Sequence, residues 1–74
     1  MTDVPPTGDE LVAVLAALAS PMRLRIVATL AGGPDCVSHL AREIGISGPL
    51  LHMHLARLEA VGLIAGSLEL SEVT

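Results

Sequence analysis

The sequence predicts a mainly α-helical domain with a small β element near its C-terminal end. Three observations carry that expectation: four stretches with helical spacing of apolar residues, capping or breaking residues at their borders, and one alternating run after the fourth. Seventy-four residues make one small domain, and at that size only about 60% of the chain's surface can be buried.

Residues 1–8 hold Pro5, Pro6 and Gly8 with little to bury, so they read as a flexible tail, and the domain proper is expected over 9–74. From Asp9 onward, Leu11, Val14, Leu15 and Leu18 follow the i, i+3, i+4, i+7 rule, yet Val12, Ala13, Ala16 and Ala17 make the other face apolar as well. A helix apolar on two sides needs cover on both, which points to a partner. Ser20-Pro21 is an N-cap followed by proline at the first helical position, opening a second helix through Met22, Leu24, Ile26, Val27 and Leu30 that ends at Gly32-Gly33-Pro34. Asp35 is expected to cap a third helix that buries Val37, Leu40, Ala41 and Ile44, with Gly45 as its left-handed stop. Only Ile46, Ser47 and Gly48 stand between Gly45 and Pro49. Ser47 then caps a fourth helix that runs to about Val61, with Leu51, Leu55 and Leu58 inward and Gly62 as its stop. Two short helices joined by so tight a turn form a helix-turn-helix, whose second helix can enter a major groove. The stretch Leu63–Leu70 is β-compatible, and a strand directly after such a helix suggests a wing.

Composition narrows the function. The chain is 51% hydrophobic with no Phe, Trp or Tyr, so an aromatic stacking platform for single strands is excluded. A mean hydropathy of +0.67 is high for a solvated monomer and implies a surface meant for a second copy. The longest uncharged stretch, Leu11 to Met22, falls short of the roughly 20 residues that span a bilayer, so no membrane association is expected. The acidic, proline-bearing N-terminus is unlike a signal peptide, and Cys36 is the single cysteine, so the expected compartment is the cytoplasm. Four arginines, no lysine and a formal charge of -4 leave few cations for phosphates. No nucleophile, base and orienting group fall together and there is no Gly-rich phosphate loop, so an enzyme is not expected.

The segments Leu18-Ala19-Ser20-Pro21-Met22-Arg23-Leu24-Arg25-Ile26, Leu40-Ala41-Arg42-Glu43-Ile44-Gly45-Ile46-Ser47 and His54-Leu55-Ala56-Arg57-Leu58-Glu59-Ala60-Val61-Gly62-Leu63-Ile64 resemble, in order and spacing, winged helix-turn-helix regulators of the ArsR/SmtB type. The likeness covers about Leu11 to Leu70. It implies a dimeric regulator of transcription that binds double-stranded DNA and is often switched by a metal ion. Family members usually continue through a complete two-stranded wing into a C-terminal helix that pairs with the first helix across the dimer. Here no Gly, Asn or Asp turn follows Leu70 before Glu72-Val73-Thr74. The expectation is therefore an incomplete wing, in a truncated form or a longer native protein, with Val73 and Thr74 belonging to the far side of the wing loop.

At about 100° per residue, the outward face of the fourth helix carries Pro49, Met53, Ala56 and Ala60, flanked by His52 and Arg57. The candidate DNA-binding residues are thus Ser47, Gly48, Pro49, His52, Met53 and Arg57, with Arg42 on the preceding helix. His52 can donate to guanine N7 or O6, the arginines can meet phosphates, and the backbone N–H groups of Ser47 to Leu50 can face an anion. Arg23 and Arg25, two residues apart, cannot both face DNA. For metal, Cys36 and His39 share a face with Glu43, and Asp35 is adjacent. Thiolate with imidazole suits a divalent transition ion such as nickel or zinc. In the family this stretch often carries Cys-x-Cys, where this sequence has Cys36-Val37-Ser38. The blander expectation makes Cys36 a small buried hydrophobe and His39 a surface residue. His54, bordering the buried stripe, is expected to be packed and hydrogen-bonded. The rival function is a protein-interaction module that keeps the scaffold and acts by pairing its apolar first helix with a regulatory partner protein, favoured by the acidic charge and the bland outer face of the fourth helix.

Overall fold

The computed structural model describes residues 7–66 and 70–73. Helix α1 (Gly8–Leu18) opens on Thr7, whose Oγ1 accepts the Glu10 N–H at 3.2 Å. Thr7 and Gly8, expected in the tail, therefore belong to the first helix, and the rest of the expected tail, residues 1–6, lies outside the described residues. Asp9 and Glu10 sit in the first turn, where the helix dipole favours negative charge. The axis then turns by 95° into α2 (Pro21–Leu30). Ser20 caps α2 through its Oγ, which accepts the Arg23 N–H at 3.3 Å, and Pro21 opens the first turn as expected. Among the described residues no single helix is long and apolar enough to cross a membrane.

Helices α2, α3 (Val37–Ile44) and α4 (Gly48–Ala60) surround the core. Ile26, Leu30, Leu40, Leu51 and Leu58 are almost wholly buried, joined by Val37, Ala41, Ile44, Leu55 and Ile64. The amphipathic spacing of α3 and α4 therefore predicted the inward faces correctly. Truncating one of these leucines to alanine costs about 2–5 kcal/mol in such cores, which is a large share of a small domain's stability. Helix α1 differs from the other three because it buries no residue; Leu18 packs on the core's edge while Leu11, Val12 and Leu15 stay exposed.

Among the described residues, three short strands form one antiparallel sheet in the order β1-β3-β2: β1 is Asp35–Cys36, β2 is Ile64–Gly66 and β3 is Leu70–Val73. Ile64 pairs with Val73, Ala65 with Glu72 and Gly66 with Ser71, while Asp35 also pairs with Ser71 and Cys36 with Leu70. This corrects two expectations. Of the run Leu63–Leu70, Ile64–Gly66 form β2 and Leu70 already opens the antiparallel β3, while Ser67, Leu68, Glu69 and, further on, Thr74 lie outside the described residues; β2 and β3 make a two-stranded wing where an incomplete one was expected. Val73 stands on the far side of that wing, opposite Ile64. Asp35 does not cap α3: it lies in β1, and Cys36 occupies the cap position without a side-chain bond to the helix.

Candidate nucleic-acid interface

The turn between α3 and α4 is built from backbone hydrogen bonds and one left-handed residue. Gly45 adopts φ +85°, and its N–H and that of Ile46 both donate to the Ala41 carbonyl, at 2.8 and 3.1 Å. Ile46 packs against the core and so pins the turn. Ser47 follows as N-cap of α4, its Oγ accepting the Leu50 N–H at 3.3 Å and its carbonyl accepting the Leu51 N–H at 3.0 Å. The cap alters the anion site expected here: Pro49 has no N–H and Leu50's is taken, leaving Gly48 as the helix's open donor in that run.

With Leu51, Leu55 and Leu58 buried, α4 presents Pro49, His52, Met53, Ala56, Arg57 and Ala60 to solvent. Ser47, Gly48, Pro49, His52 and Met53 thus come together around the first turns of α4, and Arg57 lies nearer its C-terminal end. Arg42 is exposed in the last turn of α3. Leu50 is also 40% exposed, beside Met53 at 44%. Helical spacing leaves such a residue between the two faces, which is why it was not singled out as exposed.

Among the described residues, ion-pair distances occur only around His39, so Arg23, Arg25, Arg42 and Arg57 have no carboxylate partner. Among the described residues, Arg23 is the one arginine whose side chain makes a hydrogen bond: its Nε donates to the Ala17 carbonyl at 2.6 Å, tying α2 to the end of α1. Its fixed position turns it toward α1.

At the start of α3 the structure regroups the expected metal ligands. The carboxylate of Asp35 accepts the Cys36 N–H at 2.8 Å and holds His39 Nδ1 at 2.9 Å, with Glu43 Oε2 at 3.8 Å on the other side. The Asp35 hydrogen bond and charge raise the His39 pKa above the ordinary histidine value. Donor atoms of Asp35, His39 and Glu43 lie within 4.8 Å of one another. Cys36 is outside that group, with its Sγ 3.6 Å from Ser38 Oγ, and it is exposed rather than a buried hydrophobe. The i, i+4, i+8 spacing of Asp35, His39 and Glu43 was the signal for this trio. His54 departs from expectation too: it is only half-buried and its Nδ1 is enclosed without a hydrogen-bond partner. Burial, then the charges of Arg23 and Arg57, hold its pKa below the ordinary value.

Comparison with known proteins agrees with this architecture. Residues 20–65 match the model of the bacterial regulatory protein arsR family. The chain is 38% identical over 53 residues to the HTH-type transcriptional repressor SmtB of Mycobacterium tuberculosis, a match covering 72% of the chain and 39% of that repressor. A homodimeric winged helix-turn-helix DNA-binding domain from Mycobacterium bovis superposes with TM-score 0.79 at 26% identity, over 88% of this chain and 64% of that one. NolR from Sinorhizobium fredii superposes with TM-score 0.81 at 26% identity, over 100% of this chain and 82% of that one.

Proposed function

The chain belongs to the arsR family of bacterial regulatory proteins, and from that premise we propose that it acts as a dimeric regulator of transcription, laying α4 in the major groove of duplex DNA. It is not an enzyme; the family and its relatives are regulators. The observation that carries the reading is the solvent face of α4, which follows the Gly45 turn and the Ser47 cap and exposes His52 and Met53, side chains that could meet base edges. Arg42 and Arg57, unpaired with any carboxylate of the described residues, would meet phosphates. The exposed Leu11, Val12 and Leu15 of α1 supply the face for a second copy, and the M. bovis domain is homodimeric. The cytoplasm is the compartment this role assigns.

Fluorescence anisotropy with a duplex from the chain's own upstream region tests the reading. Two phosphate-binding arginines per protomer give four per dimer, so the plot of log affinity against log salt should slope at about -4. Arg57→Gln should weaken binding to specific and random duplexes alike. Absence of salt-dependent binding would instead support the rival reading, a partner protein paired with the apolar first helix through the exposed Leu11, Val12 and Leu15.

Metal responsiveness is the finer part of the proposal. The Cys-x-Cys pair common in the family is absent, whereas two carboxylates and an imidazole at the start of α3 form a nitrogen and oxygen donor set that suits nickel or zinc. Asp35, His39 and Glu43 would hold the ion. Calorimetric titration with nickel and zinc should give heats that His39→Ala abolishes and Cys36→Ala leaves in place. Equal heats for all three proteins would remove this site.

A further inference from the structure

Two cavities between α1 and the end of α4 share Ala60 and Val61 as walls and form one groove. One part, about 310 Å³, is lined by Glu10, Ala13 and Val14; the other, about 250 Å³, by Ala16, Ala17, Arg23 and Arg57. The groove therefore has a single carboxylate at one end, two guanidinium groups at the other and an apolar middle. Among the described residues, Arg23 spends its Nε on Ala17 while its terminal nitrogens have no partner, and the Arg57 side chain makes no hydrogen bond or ion pair. Two cations at one pocket without a compensating anion leave a charge that an anionic ligand would complement. At about 100° per residue, Ala13 and Ala17 lie on the side of α1 opposite Leu11, Val12 and Leu15, with Ala16 at the edge between the two sides, so pairing of two copies through that exposed face leaves the Ala13 and Ala17 walls uncovered.

We propose that this groove binds a small aliphatic monocarboxylate, its carboxylate between Arg23 and Arg57 and its alkyl chain along Ala16, Ala17, Ala60 and Val61. The arginine end is smaller than the roughly 300–1,000 Å³ of drug-sized ligand sites, which sets the ligand class at short acids. Glu10 at the far end disfavours a second carboxylate. Because the walls come from α1 and α4, an occupant would bridge the helix that carries the exposed apolar face and the helix that carries the DNA-facing residues. The site stands whether or not α4 reads DNA.

NMR titration of the 15N-labelled chain with acetate, butyrate, succinate and inorganic phosphate tests it. Arg23 and Arg57 Nε–H signals should move saturably with butyrate. Affinity should rise about two- to fourfold per methylene from acetate to butyrate, and succinate should bind no better than acetate. Arg57→Gln should weaken butyrate at least tenfold while keeping the helical circular dichroism. Ala60→Leu retains both guanidinium groups and fills the cavity, so it should reduce butyrate to the affinity of acetate. Equal binding of phosphate and butyrate, unaffected by Ala60→Leu, would reduce the site to surface charge and overturn the proposal, as would the absence of any saturable shift.

Discussion

His39 and His54 show how a neighbouring side chain decides what a histidine does to stability. Asp35 holds His39 toward its charged form, so that contact stabilises the fold below about pH 6.5 and fades as pH rises through the higher folded value. Burial and two nearby arginines bias His54 toward its neutral form, so the opposite sign applies: its folded state is favoured above about pH 6.5 and loses ground as pH falls toward the depressed value. Replacing His54 by Leu removes an enclosed ring nitrogen that has no partner. We expect His54→Leu to stabilise the fold by about 1 kcal/mol, raising the urea midpoint, and to flatten the acid side of the stability profile; urea titrations at pH 5 and pH 8 check both. The sequence placed His54 beside the buried stripe correctly. It gave no sign that Arg23, thirty-one positions earlier, would lie near enough to repel the imidazolium.

At the scale of elements, local chemistry was the legible part. Ser20, Ser47, Gly45 and Pro21 each occupy the structural role their residue type favours, because capping and left-handed turns depend on a few adjacent atoms. The strands were less legible. A two-residue strand such as β1 has no period to detect, and β3 is defined by pairing with distant segments on both sides. Asp35 misled for a related reason: its carboxylate serves Cys36 and His39, competitors that capping statistics do not contain. Two glycines flanking the cap of α4 allow a sharp test. Gly45 has open space for a Cβ but sits at φ +85°, so Gly45→Ala should cost about 1–2 kcal/mol through the backbone alone. Gly48 has the same open space without a positive φ, so Gly48→Ala should stabilise by about 0.4–1 kcal/mol. Thermal melts of the two variants should shift in opposite directions.

For the whole molecule, the sequence announced an excess of apolar surface, and the structure assigns much of it to α1, where Leu11 is 48%, Val12 65% and Leu15 58% exposed. Sequence spacing could show that the helix is two-sided; it could not show which side faces its own domain, since that depends on the turn at Ser20. A paired α1 makes melting depend on protein concentration. Val12→Glu with Leu15→Glu should remove that dependence and give a monomer by sedimentation velocity, with the core helices intact. A wild type that sediments as a monomer at tens of micromolar would refute pairing through α1.

The order β1-β3-β2 carries a consequence for how the molecule assembles. Ser71, only 3% exposed, faces Asp35 on one side and Gly66 on the other. The β2–β3 contact is local, whereas the β1–β3 contact closes a loop containing α3, α4 and β2. Closing that loop is entropically harder than forming the hairpin. The hairpin should therefore gain protection from hydrogen exchange first, with β1 docking afterwards, so that the start of α3 is fixed to the wing only once the helix-turn-helix between them has packed.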